Sequence, residues 1–134
     1  MMEAYAYLHS PYVKSLKETV LSGAIGKVDF INTAFLTQGY KEDNTNSRYD
    51  RLFIHGDCGV IRSEVEYNQE GEVSYRIITG DGVTEKKVTV PHNYALEVEQ
   101  MGRCIRGEEK PHITAAFSIK NAKLIDSVLK EIGY

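Results

Sequence analysis

The sequence predicts an α+β domain: an antiparallel or mixed open β-sheet with helices packed on one face. Three observations carry this. The stretch from Tyr49 to Val90 holds four short runs of alternating apolar residues separated by glycine-bearing turns, the pattern of an antiparallel meander. A helical segment and one long alternating run precede it. Two further helical segments follow it. At 134 residues the chain has the length of one domain, residues 1–134, large enough for a real core.

Met1 to His9 reads as a short strand-like piece with Tyr5 and Tyr7 on one side. Ser10 is a suitable N-cap and Pro11 a suitable first helical residue. Val13, Leu16, Val20 and Leu21 then recur at helical spacing until Ser22-Gly23. After Gly26, KVDFINTAFLT alternates, with Val28, Phe30, Ala34 and Leu36 on one face, and predicts a strand beside the meander. Gln38 to Arg48 is polar and aperiodic, a loop or a disordered connection.

Turn chemistry sets a register for the meander. A three-residue loop Gln69-Glu70-Gly71 with Gly71 left-handed places Tyr67 opposite Val73, Val65 opposite Tyr75 and Ser63 opposite Ile77, and brings Glu64 to Arg76 on the other face. A type I′ turn at Asp81-Gly82 then sets Tyr75 beside Val88 and Val73 beside Val90. Beyond the sheet, Tyr94, Val98, Met101 and Ile105 form a helical stripe, with Asn93 as N-cap and Gly107 as stop. Thr114 caps a last helix whose stripe is Ile119, Ala122, Ile125, Leu129 and Ile132, closed by Gly133. With helices on one face only, the other face of the sheet has no cover within the chain and suits an oligomer contact.

A net charge of -3 with no cluster of Lys and Arg argues against nucleic acid as a partner. No apolar run approaches the roughly 18 to 20 residues that span a bilayer, and no signal-peptide pattern opens the chain, so no membrane association and a cytoplasmic location are expected. Cys58 and Cys104 form no C-x-x-C pair and read as free thiols. His9, His55, Cys58, His92 and His112 lack the closely spaced ligand pairs of a zinc site, and His55-Gly-Asp-Cys-Gly59 reads as turn chemistry. The glycines of the meander lie between strands and form no phosphate loop. Lys14, Lys17, Glu18, Glu97 and Glu99 read as solvated helix faces. Tyrosine is the unusual residue, nine against four Phe and no Trp. Tyr5, Tyr7, His9 and Tyr94 have the side chains of a polar pocket for sugars or other polyols, and equally those of half-buried sheet-edge residues.

Two blocks resemble the Gfo/Idh/MocA-type oxidoreductases. MEAYAYLHSPYVKSLKETVLSGAIGKVDFINTAF is similar to the segment that leaves the nucleotide-binding domain by a strand beginning M-E-A, passes a helix ending S-G-x-I-G, and enters the first C-terminal strand. RLFIHGDCGVIR and NYALEVEQMGRCIRGEEKPHITAAFSIKNAKLIDSVLKEI resemble the closing part of that domain: a G-x-x-G hairpin, a helix ending I-R-G, and a final helix capped by Thr114. Together the blocks cover nearly all of the chain.

The resemblance implies a family that binds NAD or NADP on a Rossmann domain and moves a hydride at a hydroxyl carbon, often of a sugar or polyol. Its C-terminal sheet forms the substrate wall and commonly the oligomer interface. By position, the resemblance implies substrate contacts at Tyr7 and His9, and further candidates at Asn93 and Tyr94. The Rossmann domain, with its dinucleotide fingerprint and catalytic lysine, is expected to be absent, so the chain is expected to hold no cofactor and to be inactive alone. The family's glycine-rich segment with an aspartate and a downstream histidine is missing after the first long strand, and Tyr40 to Tyr49 reads as a deletion junction near Asn44. A homo-oligomer through the sheet is the expected assembly, with a separately encoded Rossmann-domain chain or a free-standing interaction module as alternatives.

Overall fold

The computed structural model describes residues 5–37, 48–66 and 69–134. It is an α+β fold built on a five-stranded open antiparallel sheet in the order β1-β2-β3-β4-β5, with β1 at Val28–Thr37, β2 at Arg48–Gly56, β3 at Gly59–Ser63, β4 at Gly71–Thr79 and β5 at Gly82–Val90. The four runs of the meander are four of these strands, and β1 pairs directly with β2 from Val28↔Gly56 to Thr37↔Arg48. The polar connection 38–48 and the expected deletion junction fall almost entirely outside the described residues, as does Tyr67; Arg48 opens β2.

Both turn-derived registers are corrected by two residues. Ile61, not Ser63, lies opposite Ile77, because β3 ends at Ser63 and the connection to β4 is longer than three residues. Gly71 is left-handed as expected, with φ of 86°. In the next hairpin Thr79 pairs with Gly82, so the tight turn is Gly80-Asp81 and not Asp81-Gly82, and Val73 faces Val88 while Tyr75 faces Lys86. An even slip leaves every side chain on its face. The apolar face therefore holds: Ile54, Ile61, Val73, Tyr75 and Val90 all join one buried cluster.

In β1 the slip is odd. A bulge between Val28 and Phe30 interrupts the pairing, so Val28 packs on the core while Phe30 and Ala34 turn to the outer face. Ile31, opposite Ile54, lies on the core side of the sheet but is 55% exposed and outside the buried cluster.

Helix α1, Pro11–Leu21, lies on the core face. Ser10 caps it as expected, its hydroxyl accepting from the Tyr12 N–H at 3.3 Å. Tyr12 and Leu16 enter the cluster, where Ile25, Ile61 and Tyr75 are almost wholly buried; each such side chain contributes about 2 kcal/mol. Tyrosine hydroxyls join helix to sheet: Tyr12 Oη lies 2.6 Å from Ser63 Oγ, and Tyr75 Oη lies 2.9 Å from Ser15 Oγ and 2.7 Å from Thr19 Oγ1. The β2–β3 turn is held by the segment after α1. Asp57 Oδ1 accepts from Lys27 N–H at 2.8 Å, Cys58 N–H donates to Ile25 O at 3.1 Å, and a Cβ on Gly56 would stand 2.1 Å from Ile25 O.

The N-terminal strand expectation is corrected over Ala6–His9, and residues 1–4 lie outside the described residues. Ala6–His9 is a 3-10 turn, η1, with Leu8 N–H on Tyr5 O at 2.9 Å and Ser10 N–H on Tyr7 O at 3.1 Å. With no sheet neighbour among the described residues, its backbone groups close locally.

Helix α2 spans Asn93–Ile105 and α3 spans Ala115–Glu131. The N-cap of α2 is His92, whose Nδ1 accepts from Ala95 N–H at 3.3 Å, and Asn93 is the first helical residue. Thr114 caps α3 through Phe117 N–H at 3.2 Å, and Gly107 and Gly133 are left-handed at the two ends. Neither predicted apolar stripe is buried. Tyr94, Val98 and Ile105 are exposed on α2, and no α3 residue is buried. The packed side of α2 is instead its polar row of Asn93 and Gln100, against η1 and the returning connection.

Candidate functional site

The residues singled out in the sequence meet only in part. His9 ends η1, which packs on α2, and Asn93 opens α2, so these two belong to one junction. Tyr7 lines a cleft beside α1, with its ring edge-on to Tyr5 at 5.9 Å. Tyr94 is 53% exposed, its ring 5.8 Å from His92. The four therefore do not form one pocket.

At the η1–α2 junction the structure assembles a polar cluster. The spacings four and three put Asn93, Glu97 and Gln100 on one helical row. Asn93 and Gln100 are buried, and Glu97 is half-buried. The imidazole of His9 stacks on that of His112, from the α2–α3 connection, at 5.3 Å and 18°. Glu109 lies 3.0 Å from His112 Nε2 and 2.6 Å from Arg103 Nε. Gln100 Nε2 donates to Lys110 O at 3.0 Å.

Several buried atoms of the cluster have no hydrogen-bond partner among the described residues: His9 Nε2, Glu97 Oε1, Gln100 Oε1, and both amide atoms of Asn93. Leaving such groups unmet is costly, about 1–3 kcal/mol for each. Two donors and several acceptors at one junction suit water or a hydroxylated ligand.

The electrostatics follow from the geometry. Burial pushes the His9 imidazole below its ordinary value; the neighbouring His112 adds to this, and Glu97 and Glu109 oppose it. The Arg103 guanidinium hydrogen-bonded to Glu109 holds that carboxyl below the usual range. Among the described residues no group of His, Cys, Asp and Glu has the arrangement of a metal site. Cys58 and Cys104 are both free, and the Asp57 carboxylate hydrogen-bonded to Cys58 pushes its thiol up, the opposite of an activated nucleophile.

Sequence reasoning missed Glu97, Gln100 and His112 as members of this cluster and took Glu97 for solvated surface. The only signal for Glu97 and Gln100 was the polar row Asn93, Glu97, Gln100 beside the apolar stripe, and His112 carried none. Glu109-Lys110-Pro111 lies in the α2–α3 connection. Among the described residues no helix is long and apolar enough to cross a membrane. Comparison with protein-family models, curated proteins and solved structures finds no match to this chain.

Proposed function

We propose that this chain is the substrate-wall and oligomerisation portion of a Gfo/Idh/MocA-type NAD(P)-dependent oxidoreductase, a cytoplasmic protein acting on a sugar, polyol or related hydroxy compound and inactive by itself. The reading rests on the resemblance of the two sequence blocks, and one structural observation supports its oligomerising part. The outer face of the sheet has no cover among the described residues, and it carries Phe30, 55% exposed, and Val83, 64% exposed, at opposite edges. Phe53, Val60 and Ile78 lie between them on the same face. An apolar band of this kind, rimmed by Arg62, Glu64 and Arg76, suits a second copy. Polar groups of the η1–α2 junction, His9 and Asn93, are the proposed substrate contacts.

Hydride transfer needs a docked cofactor, which carries the hard chemistry. Residues 1–134 contain no dinucleotide fingerprint, so the proposal assigns NAD or NADP to a Rossmann domain outside these residues. Two measurements test it. Sedimentation of the wild-type chain and of Phe30→Glu and Val83→Glu is expected to show a dimer that each substitution dissociates while the far-ultraviolet dichroism is kept. A wild-type chain that stays monomeric at high concentration removes the oligomerising role. Micromolar binding of a nicotinamide dinucleotide in calorimetry overturns the assignment of the cofactor to another domain.

A second reading, an interaction module or one half of a split enzyme, draws on the exposed apolar residues of α2 and α3, Val98, Ile105, Ile125 and Ile132 among them. A neighbouring reading frame that encodes a Rossmann domain favours the split enzyme.

A further inference from the structure

Between α1 and the β2–β3 end of the sheet lies a cleft of about 340 Å³. That is within the range of small-molecule sites, roughly 300–1,000 Å³. Its walls are apolar: Leu16 and Val20 from the helix, Leu52 and Ile54 from β2, and Val65 beyond β3. Tyr12, Leu16 and Val20 form one row of α1, spaced by four, and Val13, Lys17 and Leu21 form the next. Tyr12, Leu16 and Val20 include the buried and half-buried side of the helix, whereas Lys17 and Leu21 are exposed, so the second row stands at the rim.

Two polar features give the cleft chemical direction. The first is the hydroxyl pair Tyr12 Oη and Ser63 Oγ, 2.6 Å apart and both lining the cleft. Two hydroxyls carry two protons, and their mutual bond uses one. The remaining proton has no acceptor among the described residues. Burial raises the Tyr12 phenol to about 12, so it stays protonated at neutral pH. The second feature is Lys17. One turn earlier Lys14 approaches Glu18 at 4.0 Å, and on the sheet Lys87 holds Glu72 at 2.9 Å. Lys17 has no carboxylate partner among the described residues, and it stands at the mouth of an apolar cleft.

We propose that this cleft binds a small amphipathic monocarboxylate, an aliphatic or aromatic acid, with its apolar part between Leu16, Val20, Leu52 and Ile54 and its carboxylate at the Lys17 ammonium. The apolar walls supply the affinity, since each buried methylene contributes about 0.8 kcal/mol. The lysine sets the preference for an anion, and its own stem covers part of the apolar rim. Of the four candidate substrate contacts only Tyr7 borders this cleft, and the proposal rests on the apolar walls and Lys17 and not on the oxidoreductase reading.

Methyl-resolved NMR titration of the whole chain tests it, with octanoate as probe and octanol and octylamine as controls of equal apolar length. Octanoate is expected to shift the methyls of Leu16, Val20, Leu52 and Ile54 saturably, and to bind more tightly than either control. Lys17→Met is expected to weaken octanoate about fivefold at low salt, which is the worth of one exposed charge pair near 1 kcal/mol, and to leave octanol unchanged. Leu52→Trp, which fills the cleft, is expected to abolish all binding. If that variant does not fold, isotope-edited contacts between octanoate and the Leu16 and Ile54 methyls in the wild-type chain decide instead: their presence supports the proposal and their absence ends it. Equal affinity for octanoate and octanol overturns the role of Lys17. Shifts of the cleft methyls with protein concentration alone, without added acid, assign the cleft to a second copy and overturn the proposal.

Discussion

The phenol oxygen of Tyr75 stands 2.7 Å from the hydroxyl of Thr19, joining the middle of β4 to α1 across a fully buried interface. Ser15 and Lys86 extend the contact, Ser15 Oγ at 2.9 Å from the phenol and Lys86 Nζ donating to Thr19 Oγ1 at 3.1 Å. Tyr12 and Ser63 make a parallel bridge 2.6 Å long. Two of the nine tyrosines thus serve the core, while Tyr94 and Tyr134 are exposed.

Tyr75→Phe removes a hydroxyl whose partners are buried and cannot turn to water. The expected loss is about 1–3 kcal/mol in urea unfolding. A cycle of Tyr12→Phe, Ser63→Ala and the double variant is expected to be non-additive, because each single change orphans the other hydroxyl. Additive effects would show that the two side chains are not bonded in solution.

Gly56→Ala places a Cβ 2.1 Å from the Ile25 carbonyl oxygen, which is backbone and cannot swing aside. The expected cost is above about 2 kcal/mol. At Gly80, in the adjacent hairpin turn, an added Cβ would meet nothing within 4 Å, and the φ of this residue lies outside the left-handed range. Gly80→Ala is therefore expected to change the stability measured in urea by less than about 0.5 kcal/mol. Equal effects at the two sites would contradict the close packing of residue 25 on the β2–β3 turn.

His9 is held below its ordinary value of 6.5, chiefly by burial and then by His112. Its unfolded form therefore binds more protons as pH falls through that value, so stability is complete above 6.5 and declines from there down to the folded midpoint. Glu97, Glu109, Arg103 and His112 all act on this ring. Proton NMR is expected to give His9 a midpoint below 6.5, and His9→Asn is expected to flatten the pH dependence of unfolding in that window. A His9 midpoint at or above 6.5 rules out a buried imidazole at the η1–α2 junction.

The Cys58 thiol is exposed, and the hydrogen-bonded Asp57 carboxylate raises its pKa, so less thiolate is present near pH 8. Asp57→Asn keeps an acceptor for Lys27 N–H and removes the charge. Alkylation of Cys58 by iodoacetamide is expected to accelerate severalfold in this variant, while Cys104 keeps its rate. An unchanged rate at Cys58 would show that the carboxylate does not control the thiol.

Sequence alone determined what depends on neighbours along the chain. Ser10, Thr114, Gly107 and Gly133 bound their helices because capping is a local transaction between a side chain or a left-handed residue and the nearest backbone groups. Alternation in Tyr49–Val90 was enough to reveal four strands and their buried face, which survived a two-residue error in register because side chains repeat every second residue. Tertiary structure decided everything that required a distant partner. Residues 6–9 coil because no strand among the described residues lies beside them, and a bulge next to Phe30 sends an apparent core residue outward. The clearest case is α2, whose apolar stripe faces out while Asn93 and Gln100 are buried. Periodicity shows that a helix has two faces, but only the elements packed against it, here η1 and the connection carrying Lys110 and His112, determine which face is covered.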